Sequence, residues 1–154
     1  MEKFDPEMAK RVWQRVQGET EPVTDPIPTA SVQALAAAEL EQAGRFLQLS
    51  GQLRTGEKAL LRRLYEEEKG HAALLRGIQT MTAGKCPAMR SAPAKQTAPE
   101  VTLRKCYGAA LRAAKEYENR ASDPEYGPAF AALARQERSH CALILEILGS
   151  MAGS

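Results

Sequence analysis

Cysteine and histidine are scarce in this chain of 154 residues, with three of the first and two of the second. Cys86, Cys106 and Cys141 are odd in number and form no Cys-x-x-Cys pair. That argues against a disulfide framework and excludes a zinc or iron site of four cysteines within the chain. Long apolar runs are missing too. No stretch approaches the roughly 18–20 residues that a membrane-spanning helix needs, so no membrane association is expected. The start, Met1-Glu2-Lys3-Phe4-Asp5, leads into no apolar segment. A secretory leader is therefore not expected, and a cytoplasmic location is. Charge of one sign is lacking as well. The net charge is +2, with Lys and Arg scattered rather than clustered, which speaks against a nucleic-acid partner. β-branched residues are sparse, and helix formers dominate.

What is present describes an ordinary globular chain, 44% hydrophobic and 26% charged, long enough for one domain with a sizeable core. Five helical segments are predicted. A short one covers about 6–17, with Asp5 as N-cap and Pro6 at the first helical position. It presents Val12, Trp13 and Val16 as a small apolar face, and a Pro-rich connection follows over 18–28. The second runs from Thr29 or Ser31 to about Leu53. The third runs from about Glu57 to Thr80, with Thr55 as cap. The fourth follows Thr97, where Thr97 and Glu100 fit a capping box, and ends near Ala121. The last follows Asp123-Pro124 and ends near Gly149, a candidate C-terminal cap.

Loop lengths predict the topology. The second and third helices are joined by a short loop, as are the fourth and fifth, so each pair is an antiparallel hairpin. A long Thr-, Pro-, Ala- and Lys-rich crossover, about 81–96, connects the hairpins. The expected fold is all-α, an antiparallel four-helix bundle over 29–154 with a short extra N-terminal helix in the segment 1–28. One long crossover between two hairpins is the connectivity of ferritin-like bundles.

An internal repeat agrees with this. With 39–78 aligned to 108–147 without a gap, Leu64 matches Leu133, Glu68 matches Glu137 and His71 matches His140. Ala73, Leu74 and Ile78 likewise match Ala142, Leu143 and Ile147. The third helix carries a stripe at Leu61, Leu64, Glu68, His71, Leu75 and Ile78, spaced as one buried helical face. The fifth repeats it at Tyr126, Phe130, Leu133, Glu137, His140, Ile144 and Ile147. Both histidines of the chain thus follow a Glu by three residues, and both Glu-x-x-His pairs lie on apolar stripes.

A buried carboxylate costs several kcal/mol unless something compensates for it. Glu and His at i, i+3 project to one side, so two facing copies offer oxygens and imidazole nitrogens to a pair of iron or manganese ions. The competing reading is a hydrogen-bonded polar core without metal. The second helix adds Glu39, on a face with Val32, Leu35, Ala43, Phe46 and Leu53. Glu41 points elsewhere and is expected in solvent.

With these residues, the segment from about Ser31 to Gly149 resembles the rubrerythrin branch of the ferritin-like superfamily. Glu39-Leu-Glu-Gln-Ala-Gly-Arg-Phe46 is similar to that family's first bundle helix. Glu68-Lys-Gly-His71 and Glu137-Arg-Ser-His140 are similar to its Glu-x-x-His motifs. The resemblance implies that Glu39, Glu68, His71, Glu137 and His140 are ligands to iron, with manganese or another divalent metal as the alternative. It also implies reduction of peroxide or oxygen, peroxidase- or ferroxidase-type chemistry, and a homodimer.

Two departures stand out. The repeat places Gly108, or Tyr107 in a register shifted by one, where the family's third bundle helix supplies a Glu. Glu116 and Glu118 lie too far on, roughly 12 and 15 Å along the axis at about 1.5 Å per residue. Gly108 reads either as close helix packing or as an opened coordination position. The rubredoxin-like module that supplies electrons in full rubrerythrins is also lacking, so electrons for a peroxidase would come from a separate partner. The alternative function is a non-catalytic metal-binding, sensor or interaction protein with a degenerate site. Iron storage would require a large hollow assembly. Tyr65 is either a packed core residue or a hydrogen-bond partner of a ligand carboxylate. Cys106 and Cys141 are expected to be buried thiols, and Cys86 an exposed or reactive one.

Overall fold

The computed structural model describes residues 31–85, 88 and 95–153. The helix expected over 6–17, the connection after it and Cys86 lie outside the described residues. Four helices make up the described chain, with no strand among them: α1 Val32–Ser50, α2 Thr55–Ala83, α3 Pro99–Arg120 and α4 Gly127–Ala152. None of them is long and apolar enough to cross a membrane.

Local chemistry sets where each helix starts. Ser31 caps α1, its hydroxyl accepting the Ala34 N–H at 3.1 Å, as a serine at that position does for an otherwise unpaired amide. Thr55 is not the cap of α2 but its first residue. The cap is Arg54, whose side chain makes no capping bond. The capping box expected at Thr97 and Glu100 is absent. Ala98 holds the cap position, Pro99 opens the helix, and the Thr97 hydroxyl pairs with that of Thr102 instead. Proline suits the first turn because its missing N–H would have no helical partner there.

Before α4 the Asp123 carboxylate accepts the N–H groups of Glu125 and Tyr126 at 2.9 and 2.7 Å. Gly127 follows where a Cβ would fall 2.4 Å from the Ala121 carbonyl oxygen, so only glycine fits this turn. At the other ends, α2 stops at Gly84 in the left-handed conformation, φ 74°, which costs glycine nothing. Helix α4 continues through Gly149 and is capped by Gly153.

Helix α1 packs along α2, and α3 along α4, each pair turning back through a short loop. The pairs touch through α1 with α3 and α2 with α4. The buried faces match the predicted stripes. On α2 these are Leu61, Leu64, Glu68, His71, Leu75 and Ile78, joined by Ala72. On α4, Phe130, Leu133, Glu137, His140, Ile144 and Ile147 are buried. Tyr126 is only partly buried, at the cap.

The apolar interior is split in two. One cluster gathers Phe46, Leu49, Leu61, Leu64, Leu103 and Ile144. The other gathers Leu35, Leu75, Ile78, Tyr117, Phe130 and Leu133. Fully burying a Leu, Ile or Phe side chain stabilises by about 1.5–3 kcal/mol. Both clusters therefore anchor the polar layer that lies between them along each helix.

Candidate metal centre

The polar layer consists of Glu39 from α1, Glu68 and His71 from α2, and Glu137 and His140 from α4. All five are no more than 4% exposed. So many ionisable groups in an apolar interior are tolerated only if they hold one another or a cation. Ligand atoms of Glu39, Glu68, His71 and Glu137 all lie within 4.8 Å of one another. Four of the five residues expected as ligands are thus brought into one group. His140 stands beside it, with Nδ1 2.7 Å from Glu68 Oε1 and 3.7 Å from Glu137 Oε2.

The arrangement follows the repeat, with a crossover. His71 of the first hairpin is held by Glu137 and Gln136 of the second. Its Nδ1 lies 3.0 Å from Glu137 Oε1 and 3.4 Å from Glu39 Oε2, and its Nε2 meets Gln136 Oε1. His140 of the second hairpin is held by Glu68 and Glu67 of the first, with Nε2 2.8 Å from Glu67 Oε2. The two imidazoles stack with centroids 5.5 Å apart and planes 13° from parallel. Phe46 presses edge-on against His140 at 6.4 Å.

These contacts set the proton inventory. Burial, followed by the charges and hydrogen bonds of Glu39 and Glu137, pushes Glu68 far above the carboxylate range, so it holds its proton. Its Oε1 lies 2.7 Å from His140 Nδ1. Burial depresses His140, which stays neutral and donates Nε2–H to Glu67. His71 behaves in the opposite way. Burial opposes its charge, but hydrogen bonds to Glu137 and Glu39 outweigh it and push the ring up to about 10. Burial also raises Glu39, yet bonds from Glu68, His71 and Tyr117 more than offset this and hold it below the usual value. Glu137 is pushed up to about 7, mainly by burial.

Two carboxylate oxygens, Glu39 Oε2 and Glu68 Oε2, are buried without a well-formed hydrogen bond, Glu39 Oε2 having only the 3.4 Å approach of His71 Nδ1. Buried oxygens left in this state cost roughly 1–3 kcal/mol each. Both belong to the four-residue group, where a cation would satisfy them. Three carboxylates and one imidazole form a hard, oxygen-rich donor set that suits Fe(II) or Mn(II) better than a thiolate-seeking ion. Gln136 accepts from His71 Nε2, which leaves Nδ1 as the nitrogen able to face a metal. The residues present therefore fit a divalent ion.

Tyr117, Glu67 and Gln136 complete the site, and sequence reasoning did not find their roles. Tyr117 is a fully buried residue whose hydroxyl donates to Glu39 Oε1 at 2.5 Å. Sequence shows only its place on an apolar stripe. Glu67 and Gln136 had a weak signal, because they occupy matching positions of the repeat, each just before a motif Glu.

On α3 the register based on Gly108 needs correcting. Gly108 is only partly buried, and a Cβ there would meet Arg112 Nη1 at 3.2 Å. The residues that point inward are Cys106, Ala110, Ala114 and Tyr117. Glu116 and Glu118 pair with Arg120 and Arg138, away from the cluster. Tyr65 packs against the apolar cluster, with the Lys69 ammonium 4.9 Å over its ring. Cys106 and Cys141 are buried, and burial pushes the Cys106 thiol up to about 12.

Compared with protein-family models, curated proteins and solved structures, the chain matches none. The reading of the site rests on its own geometry.

Proposed function

We propose that this chain is a metal-binding protein built as a ferritin-like four-helix bundle, holding iron or manganese through Glu39, Glu68, His71 and Glu137. The observation that carries this is a buried four-donor group in which two carboxylate oxygens lack a well-formed hydrogen bond. Support for the bundle comes from the hairpin pairing, the cross-contacts of α1 with α3 and α2 with α4, and the long crossover between hairpins.

The rubrerythrin resemblance extends the proposal to reduction of peroxide or oxygen. A bound iron or manganese ion would supply the electrons and the binding position for such an oxidant. The chain's own residues would supply the rest. The carboxylates neutralise the ion, Gln136 fixes the tautomer of His71, and Tyr117 orients Glu39. The two apolar clusters above and below exclude bulk water. A separate donor would deliver electrons for turnover.

A second reading, a non-catalytic metal-binding or sensor protein, is favoured by one observation: the interior face of α3 brings no carboxylate to the layer. Anaerobic loading with Fe(II), followed by metal analysis and a peroxide-consumption assay with a chemical reductant, separates these. Bound iron with turnover supports the oxidoreductase, and bound iron without turnover supports the sensor. Protein that holds no metal after loading sinks both.

A further inference from the structure

The two hairpins are not perfect copies, and their mismatch bears on how many ions the site takes. Helices α2 and α4 keep the ungapped register through both motifs, and Leu64, Glu68, His71 and their images Leu133, Glu137, His140 are all buried. Helices α1 and α3 do not keep it. At the ungapped offset Leu35, Glu39, Ala43 and Phe46 would fall on Arg104, Gly108, Arg112 and Lys115, none of which is buried. The inward faces coincide when Leu35, Glu39, Ala43 and Phe46 are set against Cys106, Ala110, Ala114 and Tyr117. All eight residues are buried. In this register Phe46, which presses on His140, has Tyr117, which binds Glu39, as its image.

Contacts between α1 and α3 agree with this register. Gln42 Nε2 donates to the Cys106 carbonyl at 2.8 Å. A groove of about 360 Å³ has Leu35, Glu39, Ala109, Ala113 and Tyr117 among its lining residues. The register also exchanges the two apolar clusters, as the α2–α4 register does: Phe46 lies in one and Tyr117 in the other, Cys106 in one and Leu35 in the other. The residue equivalent to Glu39 is therefore Ala110, a methyl group with 1% exposure.

We propose that the chain is built for a single metal ion and that Ala110 is the position that sets this number. The inference rests on the metal-binding reading above. Glu39, Glu68, His71 and Glu137 form one four-donor group, and the only two orphaned buried carboxylate oxygens among the described residues belong to it. The symmetric half has no counterpart to Glu39. His140, the image of His71, is not part of the four-donor group. A second ion there would meet a methyl group where its terminal carboxylate should be. With Glu at that position the layer would hold the carboxylate and imidazole complement of a paired site.

The full chain and its Ala110→Glu variant are loaded anaerobically with Mn(II), freed of excess metal and counted by elemental analysis, and their electron paramagnetic resonance spectra are recorded. Wild type is expected to hold about one ion per chain with the hyperfine pattern of an isolated Mn(II). Ala110→Glu should hold about two, with an exchange-coupled spectrum. A coupled pair in wild type overturns the inference and leaves metal binding standing. No metal in either protein overturns both. A folded Ala110→Glu chain that still takes one ion overturns the role of Ala110. If circular dichroism shows that variant unfolded, the shorter Ala110→Asp takes its place, and the wild-type count and spectrum still decide the nuclearity.

Discussion

His71 and His140 are chemically alike in sequence and unlike in place. His71 faces two carboxylates through Nδ1 and an amide oxygen through Nε2. His140 faces a carboxyl group through one nitrogen and the Glu67 carboxylate through the other. The groups at Nδ1 make the halves inequivalent: Glu137 and Glu39 hold His71 as the imidazolium, whereas burial outweighs Glu67 and keeps His140 neutral. The Gln136 amide oxygen accepts the Nε2 proton without adding charge and fixes the ring. Gln136→Leu should therefore lower metal affinity by about 10–100-fold, the usual cost of losing the partner that orients a ligand imidazole. Titration calorimetry with Mn(II) measures this, and unchanged affinity would show that Gln136 does not position the ring. At this scale Glu68, His71, Glu137 and Glu39 were legible, because a polar residue on an apolar stripe is visible in one dimension. Tyr117 was not, since its reach to Glu39 depends on how α3 lies against α1.

Helix ends follow the local sequence less closely than helix faces do. Ser31 and Asp123 act as their side chains suggest, while Thr97 and Thr55 do not cap. At Thr97 the adjacent Pro99 already provides the start, and Thr102 offers the hydroxyl another partner. The tightest point is the α3–α4 turn. A methyl at position 127 would collide with the Ala121 carbonyl, a backbone atom that cannot rotate away. Gly127→Ala should destabilise the fold by about 1–3 kcal/mol, read as a shift in urea midpoint. Gly70, on α2, has nothing within 4 Å of its missing Cβ. Gly70→Ala should instead be neutral or stabilising by up to about 1 kcal/mol.

Across the whole molecule, the buried layer couples folding, protons and metal. The metal-free layer keeps protons on Glu68 and His71. The unfolded chain surrenders these near the ordinary values of 4.5 and 6.5. Because the folded state binds more protons between pH 6.5 and about 10, metal-free stability should fall as pH rises through that window. His71 contributes fully below 6.5 and is lost as pH passes about 10. Glu137, raised from 4.5 to about 7, acts in the same direction up to that pH. Depressed His140 and Glu39 act in the opposite direction, but only below 6.5 and 4.5 respectively. Urea titrations from pH 6.5 to 9.5 without metal check this, and a flat or rising profile would contradict it.

A divalent ion replacing those two protons leaves the charge of the four-residue group unchanged. Binding should thus release about two protons near pH 8, where Glu137 is already ionised, measurable by calorimetry in buffers of different ionisation enthalpy. Saturating metal at about 100 times its dissociation constant should add about 2.7 kcal/mol and flatten the pH profile.

By itself the sequence determined the helical class, the four described helices, the stripes that face inward and the polar residues embedded in them. Each is a matter of period and local capping, which operate over a few residues. Tertiary structure alone decided which hairpin holds which histidine, that Tyr117 reaches Glu39, and that Ala110 rather than Gly108 is the image of Glu39. Those depend on the relative axial position of helices far apart in the chain. A helix slid along its neighbour keeps its own apolar period, so neither stripe records the shift.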